Sequence, residues 1–394
     1  MTMLQREVIL SLQGRSRSKK QKTLLPYDRL FLFALFSIIA LGLVMVASAS
    51  IVVSARQYGH DFHFLIRQMI YLGLGFGLSL VVIQIPSDFW FRKRAMLLAF
   101  SMLLLILVLI PGIGREVNGS MRWLGFGPLG LQVSELAKLS VIVFMAGYLQ
   151  QQEQEVRYEA KGFIKPMLIL GVFALLLLKE PDFGATVVIT GTTLGMMFLG
   201  GVRLRHYVLL LVVVILALSI LAISSPYRVQ RMTTFLNPWA VQFNSGYQLT
   251  QSLIAFGRGG WTGVGLGNSI QKLFYLPEAH TDFLFAVLAE ELGLVGILIL
   301  MGLFTLFVGR GLLMGRRAEV LGRPFAAYVA YGVSLWLAFQ AMVNMGVDAG
   351  VLPTKGLTLP FMSYGGSSIL IDCMAVALML RIDYESRKLL RAST

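Results

Sequence analysis

Two opposite charges, Glu135 and Lys138, lie at the start of a long apolar segment of this sequence. Their i, i+3 spacing places both side chains on one face of a helix, close enough to pair. Ionisable groups inside a lipid bilayer are costly, so each of them is a candidate functional residue. The residues alone favour a structural ion pair and a functional pair equally.

A denser group of polar residues, which includes Glu278, His280 and Asp282, directly precedes another long apolar segment. Beside Phe283, where water would meet the apolar segment, the carboxylate of Asp282 would be partly desolvated. Desolvation raises the pKa of a carboxyl group toward the range useful for a general base. Composition alone favours a simpler role, in which Thr281 or Asp282 caps the following helix.

Lys355 lies in a segment rich in Gly and Pro, residues 352–356, which leads to the run SYGGSS at residues 363–368 with Ser367 in it. Glycines and hydroxyl groups at the start of a helix let backbone N–H groups approach an anion, with Lys355 as a point charge. No Walker A, HExxH, GxSxG or Rossmann pattern occurs. Nothing therefore indicates an ATPase, a zinc protease, an α/β-hydrolase or a dehydrogenase.

The segment Glu180, Pro181 and Asp182 follows an apolar segment and precedes another. Proline ends a helix, and aspartate is a good N-cap for the next one. The segment therefore predicts a capped turn between two helices.

The composition decides the class of protein that carries these residues. The chain has 394 residues, of which 56% are hydrophobic and 14% charged, against about 25% charged in a typical soluble domain. Its mean hydropathy is +0.74. A soluble domain must cover its surface with polar groups, so most of this surface must face lipid. The single cysteine, Cys373, excludes an intrachain disulfide framework and a cysteine-based metal cluster.

Ten apolar segments are long enough to cross a bilayer, which takes roughly 20 residues in a helix. They lie at about residues 30–53, 64–85, 94–111, 133–150, 163–179, 184–200, 206–224, 283–309, 325–347 and 362–381. We therefore predict an all-α integral membrane protein with ten transmembrane helices, in a domain of residues 27–385.

The net charge of +14 is distributed as a membrane protein distributes it. Most Lys and Arg residues fall in segments that the positive-inside rule assigns to the cytoplasm, and this distribution places both termini there. Residues 1–26 are predicted to be a disordered basic tail and residues 386–394 a second cytoplasmic tail. A large outward loop, residues 225–282, connects the seventh and eighth helices. The basic patches are topology signals and do not indicate nucleic-acid binding.

These segments together resemble the SEDS family of polytopic bacterial cell-wall proteins, represented by RodA and FtsW. The matching blocks, in chain order, are NGSMRW at 118–123, SELAK at 134–138, PDFG at 181–184, NPW at 237–239, SGYQ at 245–248, GLGNS at 265–269, LPEAHTDF at 276–283, LPTKGLTLP at 352–360 and SYGGSS at 363–368. They extend over nearly the whole chain, which makes the set far more specific than any one block. Residues 27–28, 226–228, 248–251, 255–258 and 380–385 resemble the division branch, FtsW, more than RodA.

The resemblance implies a peptidoglycan glycosyltransferase that polymerises lipid II at the outer face of the bacterial cytoplasmic (inner) membrane, at the division septum. It also implies two kinds of partner: a cognate class B penicillin-binding protein, which is a transpeptidase, and other membrane proteins of the divisome. The essential aspartate of the family falls on Asp282, and its functionally important basic residues fall on Arg122, Lys138 and Lys355. Glu135 and Ser367 complete the predicted substrate-binding set.

Two positions depart from the family pattern. Val133 replaces the usual proline, and Glu180 stands where glutamine is common, which is expected to add a negative charge to the catalytic face. The acidic residues form no recognisable metal-ligand set, so a divalent cation, Mg²⁺ or Mn²⁺, bridging Asp282 or Glu180 to pyrophosphate is left open.

Two other functions stay open. A flippase or transporter for a lipid-linked precursor would use the intramembrane Glu135 and Lys138 to line a passage. A non-catalytic scaffold of the division machinery would need neither charge. The long outward loop that ends in an acidic residue fits an enzyme better.

Overall fold

The computed structural model describes residues 27–117, 120–126, 129–159, 161–223, 234–354 and 356–392. The predicted basic tail, Lys355 and part of the long loop, residues 224–233, lie outside these described residues. The helices are α1 Arg29–Tyr58, α2 His63–Val82, α3 Ser87–Val108, α4 Val133–Gln151, α5 Glu153–Tyr158, α6 Lys161–Lys179, α7 Phe183–Leu199, α8 Leu204–Ile223, α9 Tyr247–Gly259, α10 Leu284–Val320, α11 Pro324–Asp348 and α12 Gly366–Ala392.

Each of the ten predicted apolar segments lies on one of these helices, and the short α5 and α9 lie between them. Within the described residues, six helices (α1, α2, α4, α6, α10 and α11) are long and apolar enough to cross a membrane. Large apolar side chains such as Phe33, Phe76 and Leu168 stay exposed on the helix surfaces. This inversion of the soluble pattern confirms a predominantly helical membrane protein.

A three-stranded antiparallel sheet follows α3, so the all-α prediction is wrong for this segment. Its strands are β1 Gly114–Val117, β2 Ser120–Phe126 and β3 Leu129–Gln132, in the order β1-β2-β3. The sequence Asn118-Gly119 is typical of a two-residue hairpin turn, and the strands beside it are short and rich in glycine. The strands are too short to show a clear alternation of apolar and polar residues.

The antiparallel helices give the bundle two ends with different contents. The end that carries the sheet, residues 234–283 and residues 349–365 is called the sheet end. The opposite end is called the arginine end, because Arg310, Arg317 and Arg387 surround Asp28 there. Loops at the sheet end are long, and they position the candidate site.

Helix α10 is broken at Gly293, and a loop enters the break. Gly293 has φ 64° and ψ −162°, and a Cβ atom there would lie 2.3 Å from the Gly263 nitrogen. The backbone N–H of Leu294 donates to the carbonyl of Gly260, and that of Val264 donates to the carbonyl of Glu290. Only glycine fits this conformation and this close approach. The loop after α9 is thus fixed to the helix that begins beside Asp282.

Candidate functional site

Asp282 lies half-buried at the sheet end, just before α10 begins at Leu284. The N-cap position of α10 is Phe283, so the interpretation of Thr281 or Asp282 as its cap is wrong. A carboxylate from another helix takes over part of this role, because Oδ2 of Asp348 accepts a hydrogen bond from the Ala286 N–H at 3.3 Å. Phe283 has no side-chain acceptor, which explains why the partner comes from α11.

The segment that contains Lys355 passes directly beside Asp282. A Cβ atom at Gly356 would lie 2.8 Å from Oδ2 of Asp282, so the absent side chain leaves room for the carboxylate. The amide Nδ2 of Asn344 donates to the carbonyl oxygens of both Asp282 and Leu357, at 2.7 Å each. Two segments that are far apart in the sequence therefore meet at the predicted general base.

The same segment reaches from Asp282 to the start of α7. A Cβ atom at Gly184 would lie 3.0 Å from Cδ2 of Leu357, which places residues 356–357 between Asp282 and the turn before α7. Asp182 caps α7 by accepting from the Ala185 N–H at 3.0 Å, and α6 ends at Lys179. The predicted capped turn is confirmed.

Arg122 binds the turn between α6 and α7 from the sheet. It lies on β2, and its guanidinium donates to the carbonyl oxygens of Glu180, at 3.1 Å, and Pro181, at 2.7 Å. These contacts attach the sheet to the loop that carries Glu180. The structure therefore places Arg122 at the sheet end, with its cation directed to backbone oxygens.

Glu180 is fully buried, and neither of its carboxyl oxygens has a hydrogen-bond partner among the described residues. Burial, and then the charge of Asp182, raise the pKa of Glu180 to about 8, while the charge of Arg122 acts in the opposite direction. The raised pKa favours the neutral acid over the carboxylate. Burial therefore opposes the negative charge that the sequence predicts for Glu180 on this face.

Lys138 and Glu135 form the predicted pair inside the bundle. Nζ of Lys138 lies 2.8 Å from Oε2 of Glu135 and donates to Oε1 of Gln340 at 2.7 Å. The ammonium group also lies 5.0 Å from the centre of the Trp336 ring. Both charges are buried, and the space beside Lys138 is too small for a water molecule. The structural pairing is thus present, beneath the segment that contains Lys355.

Gln340 connects this buried pair to the candidate site. Its Nε2 donates to the carbonyl of Thr358 at 2.9 Å, while its Oε1 accepts from Lys138 and from Nε1 of Trp336. The ammonium of Lys138 therefore fixes the orientation of an amide that holds residues 356–358 from below.

Ser367 connects α12 to the sheet. Its hydroxyl group donates to the carbonyl of Gly130 at 2.8 Å and accepts from the Gln132 N–H at 2.9 Å. The side chain is buried. It uses its hydrogen-bonding capacity on β3 and so holds the SYGGSS run against the sheet.

Sequence reasoning missed Asn344 and Asp348, which contact the backbone around Asp282. A signal for them was present, because Gln340, Asn344 and Asp348 are spaced four residues apart in an otherwise apolar helix. That spacing places the three side chains on one face. No motif search identifies such a face without knowing which segments pack against it.

The described residues contain no group of three or more His, Cys, Asp and Glu side chains that could hold a metal ion. The two acids of the turn, Glu180 and Asp182, are both buried, and Asp182 caps α7.

The fold and the site define a polytopic helical membrane protein with one half-buried acid set among ordered loops at one end. The chain belongs to the FtsW, RodA and SpoVE family of cell cycle proteins, whose model matches residues 28–388. It is similar to the probable peptidoglycan glycosyltransferase FtsW of Legionella pneumophila, with 58% identity over 92% of each chain. It is also similar to the protein of the same name from Coxiella burnetii, with 59% identity over 93% of this chain and 99% of that one.

Solved structures agree with this family. A chain from a study titled "Structural coordination of polymerization and crosslinking by a peptidoglycan synthase complex" matches with a TM-score of 0.77 and 30% identity, over 92% of this chain and 99% of that one. The rod shape determining protein RodA of Thermus thermophilus matches with a TM-score of 0.67 and 31% identity, over 91% of this chain and 97% of that one. The predicted resemblance is confirmed.

Proposed function

We propose that this protein is a peptidoglycan glycosyltransferase that polymerises lipid II into glycan strands, with Asp282 as the general base. One observation carries the assignment of the base: the half-buried carboxylate of Asp282 lies against Gly356, the neighbour of Lys355 in the sequence. The high identity to relatives named as peptidoglycan glycosyltransferases supports the reaction.

The chemistry suits these residue types. Lipid II carries its disaccharide on a pyrophosphate, which is already a good leaving group. An acceptor hydroxyl attacks the anomeric carbon, its proton passes to Asp282, and the bond to the pyrophosphate oxygen breaks. Direct displacement with a single base inverts the anomeric carbon, so an α-linked donor gives a β linkage.

Cations stabilise the negative charge on the departing pyrophosphate. We assign this role to Lys355, the neighbour of Gly356 in the sequence, and to Arg122, which binds the turn before α7. Lys138 acts from below, through the hydrogen bonds of Gln340 to Thr358, and Glu135 keeps its ammonium in place. Ser367 holds the SYGGSS run beside the sheet. A divalent cation, Mg²⁺ or Mn²⁺, stays a proposal, and no step here depends on it.

We also propose ten transmembrane helices, with both termini in the cytoplasm and the sheet end in the periplasm. The distribution of charge supports this orientation, because the arginine end holds Arg310, Arg317 and Arg387 around Asp28. The enzyme would then act at the division septum of the inner membrane. Its expected partners are a class B penicillin-binding protein and other divisome membrane proteins.

The rival function is transport of a lipid-linked precursor. Buried charges favour it in principle, but the closely packed surroundings of Lys138 leave no space for a passage in this state. Purified protein in detergent, given lipid II alone, separates the two functions. We expect glycan polymer on a gel. Absence of polymer, together with lipid II translocation in reconstituted vesicles, would identify a flippase.

A further inference from the structure

The last turns of α11 present a polar face to the candidate site. Gln340, Asn344 and Asp348 are spaced four residues apart, and each is at most 1% exposed. The amide Nδ2 of Asn344 donates to two backbone oxygens, those of Asp282 and Leu357, at 2.7 Å each. One side chain thus bridges the segment of the proposed base and the segment of Lys355.

Asp348 fixes the surroundings from the next turn. Its Oδ2 accepts from the Ala286 N–H at 3.3 Å, and its backbone carbonyl accepts from the Ser252 hydroxyl at 2.6 Å. The start of α10 and the middle of α9 are therefore attached to the same helical turn. Asn344 thus binds the backbone of Asp282 itself, and Asp348 binds that of Ala286 in the first turn of α10.

The side chains of Asn344 and Asp348 each leave one hydrogen-bond acceptor unused. Oδ1 of Asn344 and Oδ1 of Asp348 are buried without a hydrogen-bond partner among the described residues. A buried polar atom without a partner costs about 1–3 kcal/mol. Their polar character is retained at a cost to stability, which indicates a role beyond packing.

We propose that Asn344 is a positioning residue of the transferase site, which holds Asp282 and residues 356–358 at one fixed separation, with Asp348 supporting it. The inference rests on the proposed function. A base and a leaving-group cation on separate segments must stand at a fixed distance. A displacement of about 1 Å costs on the order of 10²-fold in rate.

The test is a series at position 344 with full-length purified protein and lipid II. Asn344→Asp keeps the shape but replaces the donor with a carboxylate that faces two carbonyl oxygens. Asn344→Ser keeps one donor, and Asn344→Gln keeps the amide on a longer side chain. We expect kcat to fall by about 10²-fold in Asn344→Asp, less in Asn344→Ser and least in Asn344→Gln. KM should stay unchanged in all three variants.

Ser334→Ala is the matched control. Ser334 lies buried in the same helix, and its hydroxyl donates only to the Ala330 carbonyl within that helix, at 2.7 Å. We expect its kcat to equal that of the wild type. If Asn344→Asp does not fold, the Gln and Ser variants still give the order. Wild-type kcat in all folded variants, or a raised KM with unchanged kcat, would overturn the inference.

Hydrogen exchange separates this inference from the proposed function. Amides of residues 282–286 and 356–358 should exchange faster in Asn344→Ser than in Ser334→Ala, and this measurement needs no activity. If the wild type makes no glycan but exchange rises as expected, the proposed function fails while the bridge between the segments stands. Unchanged exchange would overturn the bridge itself.

Discussion

Two groups of buried acids at opposite ends of the bundle differ in how they are paired. At the arginine end, Asp28 accepts hydrogen bonds from Arg310, Arg317 and Arg387. At the sheet end, Glu180 has no hydrogen-bond partner for either carboxyl oxygen among the described residues, and Asp348 has a partner for only one. Both sets of acids are buried, so the difference lies in pairing.

This difference in pairing supports the proposed site at the sheet end. Multiple arginines around one carboxylate fix helix termini and satisfy the charge. The pKa of Asp28 shows the balance: burial acts to raise it, but hydrogen bonds from Arg310 and the Phe31 amide outweigh burial and hold it below its ordinary value. Acids without such partners are costly, and proteins retain them where function requires it.

The largest effect on stability is expected at the buried pair of Glu135 and Lys138, beneath the sheet end. Lys138→Met leaves Glu135 as an unpaired buried charge, which should cost about 3–5 kcal/mol of unfolding free energy. Adding Glu135→Gln should restore much of that stability. We expect the double mutant to polymerise poorly even so, because Gln340 loses the ammonium that orients it toward Thr358. Thermal unfolding and polymerase rate are measured for the two single mutants and the double mutant.

Parallel recovery of stability and rate in that double mutant would remove Lys138 from the site. The Glu135 and Lys138 pair would then have only a structural role, like the ion pairs of Asp28 at the arginine end.

A second, smaller loss of stability is expected at the arginine end. Asp28→Asn weakens three charge-assisted contacts and should cost about 1.5–3 kcal/mol. Because the pKa of Asp28 lies below 3.8 in the folded state, its contribution is present above that pH and is lost as the pH falls through the folded pKa. Polymerisation per folded molecule should equal that of the wild type. A catalytic defect without loss of stability would break the comparison between the ends.

Ser367→Ala should cost about 1 kcal/mol, because the carbonyl of Gly130 and the N–H of Gln132 lose a partner. Since its hydroxyl is already used on β3, we expect KM for lipid II to change little. Chemical denaturation and steady-state kinetics measure the two quantities. A large rise in KM with unchanged stability would instead indicate direct contact with the substrate.

The smallest effect concerns pH. Because the pKa of Glu180 is raised from 4.5 to about 8, the folded state binds more protons than the unfolded state between these values, and stability falls as pH rises through that range. Glu180→Gln removes this titration, so its unfolding free energy should exceed that of the wild type most clearly above pH 8. Glu116→Gln, an exposed residue on β1, is the control and should follow the wild type. If the unfolding free energy depends on pH equally in all three proteins, the raised pKa of Glu180 is contradicted.

Much of this architecture could be predicted from the sequence, and the rest fails for physical reasons. Apolar length alone placed ten segments that lie on described helices, six of which are long and apolar enough to cross a membrane. The sheet at residues 114–132 was missed, since its strands are too short for a periodic signal. The break at Gly293 depends on a loop that enters from residues 260–265, and no local pattern reports such a contact.

The site shows the same division. The Glu135 and Lys138 pair follows from helical spacing, and the structure contains it. The cap assigned to Thr281 or Asp282 was wrong, because the acceptor comes from Asp348 on another helix. The raised pKa of Glu180 could not be predicted either, since it depends on burial in the folded chain. Spacing along one helix can be predicted from a sequence, whereas contacts between distant segments cannot.

The most direct test of the central claim is polymerisation of lipid II by purified Asp282→Asn protein. Asparagine preserves the size of the side chain but cannot accept the proton of the acceptor hydroxyl. We expect glycan polymer to be lost while thermal unfolding matches the wild type, the opposite of the result expected for Asp28→Asn. Near-normal polymerisation by Asp282→Asn would contradict the account, because the half-buried carboxylate at the sheet end would then not be the base.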